Sequence, residues 1–250
     1  MDPKTFMDIK LSIENKVARI VINRPEKLNA IRLQTYRELI SALQHADNND
    51  DCHLIVLEGE GGQFTAGNDL ADLVDGEAGQ VMECVEGIFQ TVDQLKKVLI
   101  CVVEGVAVGI GTTILLHCDI AVASSKAKFR LPFANLGVCP EGAASTLLPL
   151  AIGPKAARDL LLTGRFFSAE EAHSLGLITA VAEPEKLKES VEYYISSILR
   201  QSLPSLIATK ELMHQSKGDV RSAVLKELQM FAKLLQTEQT RTIINSLLKR

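Results

Sequence analysis

The chain has 250 residues, of which 46% are hydrophobic and 23% are charged, with a formal net charge of -4. This length and apolar content suit one substantial core with a small extension, so a single catalytic domain plus an appendage is expected. The nearly balanced charge excludes the broad basic field of a nucleic-acid-binding protein, and no apolar stretch approaches the length of a membrane span.

The cysteines and the N-terminal segment indicate a reducing compartment. Residues 1–20 place lysines among acidic residues and lack the apolar run of a signal peptide. The cysteines are odd in number and show no CxxC spacing, so they are interpreted as free thiols. We therefore expect the cytoplasm, or an organelle matrix if the organism is eukaryotic. The five cysteines are Cys52, Cys84, Cys101, Cys118 and Cys139.

The first two thirds of the chain alternate between strand and helix patterns. β-Branched runs predict strands, and apolar residues at helical spacing predict the helices between them. This alternation is typical of an α/β fold. Strands are predicted at residues 17–23, 53–58, 98–103 and 119–123, and helices at residues 33–45, 81–95 and 112–116.

From residue 154 onward the pattern is almost entirely helical. A composition shift near residue 200 divides the chain into a catalytic core, residues 1–199, and a C-terminal helical region, residues 200–250. The C-terminal helices carry more apolar positions than one exposed face allows, so they cover either their own core or a neighbouring subunit. We favour a homo-oligomer. Helices are predicted at residues 155–162, 169–175, 185–199, 204–214, 220–236 and 238–248.

Two glycine-containing turns follow predicted strands, at residues 63–69 and 105–111. Ligands of α/β folds bind at the carboxyl ends of strands, where small residues let a ligand oxygen approach backbone N–H groups. Two converging donors would form an oxyanion hole. The alternative is that Gly109 and Gly111 only allow close packing of a helix.

Glu141 is the candidate acid or base. It follows Pro140 and precedes an apolar helix, where the helix dipole stabilises its anion and burial favours its neutral form. Such opposed influences can tune a general base that removes a proton from carbon. The alternative is an ordinary glutamate in the first turn of a helix. The five histidines have no metal-ligand spacing, so no metal site is expected.

Together these elements resemble the crotonase superfamily, also called the enoyl-CoA hydratase/isomerase family, from about residue 18 to residue 184. The resemblance implies a crotonase-like spiral of ββα turns, an acyl-CoA thioester substrate and C-terminal helices that build a homotrimer or a hexamer. Coenzyme A would be part of the substrate, with no metal or redox cofactor. The shared motifs are NRPEKLNAI (23–31), GGQFTAGNDL (61–70), EGVAVGIGTTILLHCDIAVAS (104–124), AKFRLPFANLGVCPEGAASTLLPLAIG (127–153) and LLTGRFFSAEEAHSLGLITAV (161–181).

The resemblance also implies roles for particular residues. The thioester oxygen would be held by the backbone N–H groups of Ala66 and Gly109. A tunnel for the acyl chain is expected from Phe133, Leu136 and residues 147–150, which are alternatively plain core. The surface expected to receive the nucleotide and pantetheine comprises Lys27, Leu28, Ala30, Gly67, Asn68 and Asp69.

Departures from the family pattern indicate the subtype. Hydratases of this superfamily use two glutamates, and the corresponding positions here are Thr113 and Phe133. The segment around Glu141 instead resembles the Δ3,Δ2-enoyl-CoA isomerases, whose single glutamate moves the proton. The expected activity is therefore conversion of 3-enoyl-CoA to 2-enoyl-CoA. The alternatives are an atypical hydratase or hydrolase that pairs Glu141 with an acid such as Asp69, and a non-catalytic acyl-CoA-binding protein.

Overall fold

The computed structural model describes residues 5–73, 78–214 and 219–249, so the first four residues of the N-terminal segment discussed above lie outside it. Within these ranges the chain forms nine strands. They are β1 (Ile9–Glu14), β2 (Val17–Ile22), β3 (Leu54–Gly59), β4 (Val98–Val103), β5 (Val106–Val108), β6 (Ile120–Ser124), β7 (Lys128–Arg130), β8 (Phe166–Ser168) and β9 (Ala180–Ala182).

The same ranges contain ten α-helices joined by short 3₁₀ turns. They are α1 (Leu33–Asn48), α2 (Ala78–Gln94), α3 (Ile110–Thr113), α4 (Ala144–Ile152), α5 (Pro154–Thr163), α6 (Ala169–Ser174), α7 (Leu187–Leu199), α8 (Leu203–His214), α9 (Val220–Leu235) and α10 (Glu238–Leu248). None of them is long and apolar enough to cross a membrane.

The strands form two sheets. The larger has the order β1-β2-β3-β4-β6-β9, in which β1 is antiparallel to β2 and every other pair is parallel. The smaller has the order β5-β7-β8 and begins where the chain leaves β4. The carboxyl ends of β3 and β4 therefore meet at one edge of the large sheet, and the loops that follow them can combine into one site.

Both faces of the large sheet are covered. On one face, Ile20, Ile55 and Leu99 belong to the core shared with helices α1 and α2. On the opposite face, neighbouring strand residues such as Val56 and Ile100 pack against α7. Because β4 is central, all six of its residues are buried. A strand that is buried on both faces consists of consecutive apolar residues, and this run made β4 easy to predict from sequence.

The structure confirms the mixed α/β architecture and the main strands and helices to within a few residues. Sequence reasoning missed β1, whose alternation of apolar and polar residues is weaker than the runs around it. It also missed the three-residue strands β5, β7, β8 and β9. A strand this short has too few positions for a periodic pattern, and pairing with neighbours distant in sequence defines it.

The C-terminal helices pack on their own core. Helix α9 lies against α2 and α4, and α10 lies against α9. Val224, Phe231 and Ile244 are buried in the same core as the strands. The apolar residues that predicted a covered surface thus cover this chain at least in part, and the boundary near residue 200 stays a prediction.

Candidate active site

Two loops run side by side at the carboxyl edge of the large sheet. Residues 64–69, which follow β3, pair with β5 through Thr65, whose N–H donates to Val106 O at 2.9 Å and whose carbonyl accepts from Val108 N at 3.0 Å. On the other side, Ile31 N donates to Gly67 O at 2.8 Å. The loop is therefore held in extended form between two segments, with its backbone groups in defined directions.

The backbone N–H groups of Ala66 and Gly109, which the resemblance assigned to the oxyanion hole, are already occupied. Ala66 N donates to Leu28 O at 2.9 Å, and Gly109 N donates to Arg130 O at 3.0 Å. An N–H group engaged in the protein's own backbone pairing is not free to stabilise a developing charge. That assignment is therefore wrong in its register, although both residues line the cavity described below.

The free donors lie one and two residues further on, at Ile110 and Asn68. Within the described ranges neither backbone N–H has a hydrogen-bond partner. Ile31 donates its N–H to Gly67 O and accepts from Asp69 N. The residue between them, Asn68, therefore points its own N–H away from Ile31. Ile110 is the first residue of α3, where an N–H has no acceptor in its own helix.

Gly109 makes this arrangement possible. Its φ of 56° and ψ of -118° lie in a region open to glycine and strained for other residues. No atom lies within 4 Å of where its Cβ would be. Open space therefore borders Gly109 itself, at the point where the chain enters the buried helix α3.

A cavity of about 340 Å³ is lined by Asn68 and by Gly109, the residue that precedes Ile110. Its walls come from the loops after β3, β5 and β7 and from the two last helices. Most of the lining is apolar, as is usual for a pocket that binds a small organic molecule. The apolar side chains are those of Leu70, Leu73, Val108, Phe133, Leu136, Val138, Phe231, Ile243, Ile244 and Leu247.

The residues predicted to form the acyl tunnel do not all lie together. Phe133 and Leu136 line the cavity, but residues 147–150 do not. Leu148 is fully buried, and Leu147 and Leu150 border a different surface hollow. Their place in the cavity wall is taken by α9 and α10, because these helices fold back over the loop that bears Phe133. Sequence spacing alone carries no signal for that contact.

Glu141 is fully buried and lies next to the cavity, without being part of its lining. The side-chain amide of Asn68, which does line the cavity, donates to both carboxylate oxygens of Glu141 at 3.4 Å. Burial raises the pKa of Glu141 to about 8, an effect that the Asn68 bonds oppose and the negative charge of Glu227 reinforces. A carboxylate tuned to this range suits proton transfer near neutral pH.

Tyr36 orients Asn68. The Tyr36 hydroxyl donates a short hydrogen bond to Asn68 Oδ1, which directs the amide nitrogen of Asn68 towards Glu141. Tyr36 is fully buried on α1, and burial raises the pKa of its hydroxyl well above the ordinary value. The hydroxyl therefore stays protonated and remains a donor.

The predicted binding residues Lys27, Leu28, Ala30 and Asp69 do not line the cavity. Lys27 is exposed and Leu28 half exposed, while Ala30 O accepts from the Arg24 guanidinium at 2.5 Å. Asp69 also contacts that guanidinium, 3.3 Å from both terminal nitrogens. Asp69 is thus paired with Arg24 and makes no contact with Glu141.

The two positions at which hydratases carry glutamates hold no acid. Thr113 is fully buried on α3 and Phe133 forms part of the cavity wall. Among the described lining residues there is no aspartate or glutamate. The described part of the chain likewise contains no group of three or more potential ligands that could hold a metal ion.

Comparison with known proteins identifies the family of the chain. A family model described as Enoyl-CoA hydratase/isomerase matches residues 12–249. The chain belongs to the enoyl-CoA hydratase/isomerase family. Its fold is therefore of the crotonase type, and it is an enzyme of a family that acts on acyl-CoA thioesters.

Relatives within this family include proteins named as hydratases and proteins named as isomerases. Human enoyl-CoA delta isomerase 2 is 31% identical over 98% of this chain and 64% of the relative. The short-chain-enoyl-CoA hydratase of Clostridium acetobutylicum is 27% identical over 97% of this chain and 95% of the relative. The crystal structure of an enoyl-CoA hydratase/isomerase from Pseudoalteromonas atlantica T6c superposes with a TM-score of 0.90 at 33% identity, covering 97% of each chain.

Three residues of this enzyme's site were missed from sequence. Tyr36 and Glu227 lie on helices whose patterns marked them only as helical positions, and Ile110 lay in the predicted glycine-containing turn at residues 105–111 without a role of its own. For Ile110 a signal was present, because the residue after a glycine that opens a helix has a free N–H. For Tyr36 and Glu227 only the folded chain brings them to Glu141.

Proposed function

We propose that this family member is an enoyl-CoA isomerase that converts 3-enoyl-CoA to 2-enoyl-CoA. The observation that carries the proposal is the single buried carboxylate of Glu141 beside a cavity whose described lining has no other carboxylate. One group that accepts and returns a proton is sufficient for a double-bond shift, whereas the usual hydration in this family employs two.

The proposed reaction begins at C2 of the substrate. Glu141 in its ionised form accepts a proton from C2, the C2–H electron pair forms a C1=C2 bond, and the carbonyl π electrons move to the thioester oxygen. This gives a dienolate in which the C3=C4 bond is still present. Glu141 then delivers the proton to C4, where the C3=C4 electrons form the new C–H bond. The C1=C2 electrons become the C2=C3 bond, and the oxygen electrons restore the carbonyl. The product is the 2-enoyl thioester, with no net gain or loss of atoms.

The developing charge on the thioester oxygen would be held by the backbone N–H groups of Asn68 and Ile110. Both are free; Asn68 lines the cavity, and Ile110 directly follows Gly109, which also lines it. Removing one such donor in other enzymes costs on the order of 3 kcal/mol in the transition state. Asn68 would therefore have two roles. Its backbone N–H would bind the thioester oxygen, and its side-chain amide donates hydrogen bonds to Glu141.

Lys27, Leu28 and Ala30 would form the outer surface that meets the nucleotide and pantetheine. Their loop borders the cavity through the hydrogen bond between Leu28 O and Ala66 N. Gly67 and Asn68 continue that border inward, and Phe133 and Leu136 lie against the acyl chain.

Hydration is the second candidate, since relatives of this chain are named hydratases. It would need a second acid to position water. Asp69 is paired with Arg24, and both carboxylate oxygens of Glu227 accept backbone hydrogen bonds. Neither is free to hold a water molecule, which favours isomerisation.

To test the proposal, purified protein is incubated with 3-hexenoyl-CoA and with 2-hexenoyl-CoA in separate reactions. The expected result is formation of 2-hexenoyl-CoA from the first substrate and much slower loss of the second to the 3-hydroxy product. Hydration at a rate equal to or above isomerisation would show a hydratase. Binding of both thioesters without conversion of either would show a non-catalytic acyl-CoA-binding protein.

A further inference from the structure

A second buried carboxylate contacts the turn that bears Glu141. Glu227 lies on α9 and is 6% exposed. Its Oε2 accepts from Ala143 N at 2.6 Å, and its Oε1 accepts from Ser145 N at 2.8 Å. These two N–H groups belong to the start of α4, so Glu227 caps that helix from a different helix.

The start of α4 has no cap of its own. Ala143 occupies the N-cap position, where serine, threonine, aspartate or asparagine would normally accept a hydrogen bond from the first turn. An alanine side chain has no acceptor. Glu227 therefore supplies both the acceptor and the negative charge that the amino-terminal end of a helix favours.

The turn also adopts a backbone conformation that requires support. Gly142 and Ala143 have φ values of 72° and 57°, so two consecutive residues are left-handed immediately after Glu141. This conformation is unfavourable for alanine because of its Cβ. Such a residue persists only where its surroundings hold it in place, and the short bond from Ala143 N to Glu227 does so.

Other contacts fix the same turn from the core side. A Cβ at Gly142 would lie 2.3 Å from the ring of Phe89, so the turn approaches α2 as closely as glycine permits. Nε2 of His117 lies 2.8 Å from Gly142 O. Glu227 contributes the contact from the C-terminal helices.

The charge of Glu227 also acts on Glu141. Both Glu227 oxygens accept N–H donors, which fits the ionised form, although burial raises the pKa of this carboxyl. The titratable groups around Glu141 in the described chain include Tyr36, Cys139, His117 and Glu227. Burial raises the pKa of Tyr36 well above normal and that of Cys139 to about 11, so these two stay neutral at pH 7.

We propose that Glu227 is a positioning residue for the proton transfer. From α9 it holds the left-handed turn that follows Glu141, and its negative charge keeps a proton on Glu141 at higher pH than burial alone would. The inference rests on the proposed role of Glu141 as the base. Through its two hydrogen bonds to Ala143 and Ser145, Glu227 connects the C-terminal helical region to the turn that follows Glu141.

The test compares the pH dependence of kcat/KM in Glu227→Gln and Glu227→Asp with that of the parent. Because the glutamine variant lacks the charge, its acidic limb should move to lower pH by about 0.5 unit or more, and kcat/KM at the optimum should fall roughly tenfold. The aspartate variant keeps the charge, so its profile should stay near the parental position even where its rate is lower.

Asp219→Ala is the matched control. Asp219 caps α9 through a 2.9 Å bond from Ser222 N and has no contact with the turn after Glu141. Its loss should lower the melting temperature and leave the pH profile unchanged. If Glu227→Gln does not fold, the comparison is made in an Ala143→Gly background, where glycine relieves the left-handed strain and the charge difference remains.

A purely structural cap would lower the melting temperature of Glu227→Gln without moving the acidic limb, and that result would overturn the proposal. Failure of the proposed function is recognised separately. If Glu141→Gln keeps the activity, Glu141 is not the base; if it loses the activity while Glu227→Gln leaves the profile in place, only the role of Glu227 is refuted.

Discussion

Asn68 donates through its side-chain amide to both carboxylate oxygens of Glu141 at 3.4 Å, while its own backbone N–H is free at the edge of the cavity. One residue thus connects the buried acid to the position proposed for the thioester oxygen. Tyr36 sets the orientation of that amide from α1. The reacting groups are held by hydrogen bonds between elements that are far apart in sequence.

Replacing Glu141 with glutamine should abolish isomerisation, because an amide cannot accept the C2 proton. The affinity for a CoA ester should stay within a few-fold of the parent, since Glu141 does not line the cavity. Steady-state rates with 3-hexenoyl-CoA and calorimetric titration with a CoA ester measure the two effects. Glu192→Gln is the control, because Glu192 lies on α7, on the other side of the sheet, and pairs with Arg19 of β2. Activity above about a tenth of the parental rate would refute the assignment.

The pH dependence of kcat/KM should show an acidic limb with an apparent pKa near 8. Glu141 must be ionised to accept a proton, and its pKa is raised to about 8, so the rate should increase as the pH rises through that value. Rates between pH 5 and 10 with a stability control at each pH provide the measurement. A plateau that begins near the ordinary glutamate pKa of 4.5 would contradict the buried environment.

Stability should also depend on the protonation of Glu141. Its pKa in the folded state is higher than in the unfolded chain, so the folded state binds more protons between pH 4.5 and about 8. Its contribution to stability is therefore complete below pH 4.5 and is lost as the pH rises to about 8, amounting to a few kcal/mol at most. Urea unfolding at pH 5 and pH 9 should show a smaller loss for Glu141→Gln than for the parent. Equal losses would disprove the assignment of this titration to Glu141.

Replacing Ile110 with proline removes the backbone N–H proposed to bind the thioester oxygen. Proline is tolerated at the first position of a helix, so the backbone of α3 should persist. The expected loss in kcat is roughly 10²–10³-fold. Ile110→Ala is the matched control, because it shortens the same buried side chain and keeps the N–H. Similar rates for the two variants would show that this amide does not stabilise the transition state.

Introducing glutamate at both Thr113 and Phe133 restores the acids that hydratases carry. Hydration of 2-hexenoyl-CoA should become detectable but slow, because neither site is built to pair a carboxylate. Both positions are buried, so stability should fall by roughly 2 kcal/mol or more. The double glutamine variant is the control of equal size. Efficient hydration by the unmodified protein would instead show that these two positions do not determine the reaction.

The enzyme should form a trimer or hexamer in dilute buffer. Although α9 and α10 cover their own core, large apolar side chains remain exposed, among them Tyr193, Leu212, Met213 and Met230. Such surface commonly marks contact between subunits. Light scattering should give three or six times the 27.3 kDa chain mass. A monomeric mass would refute the prediction.

The sequence by itself determined the family, the α/β alternation and the identity of the candidate acid. Long apolar runs such as β4 and the motif around Glu141 carry this information locally, because burial on both faces and a helix start leave signatures within a few residues. The absence of acids at Thr113 and Phe133 was also visible without coordinates.

Only the tertiary structure decided which amides are free and what surrounds Glu141. Whether a backbone N–H is available depends on its partner, and Leu28 and Arg130, which occupy the amides of Ala66 and Gly109, lie 38 and 21 residues away. Likewise the contacts of Glu227 and Tyr36 with the site span about 84 and 32 residues. Register and long-range packing are properties of the assembled sheet and helices, and a local pattern cannot encode them because each hydrogen bond needs a partner that folding alone brings near.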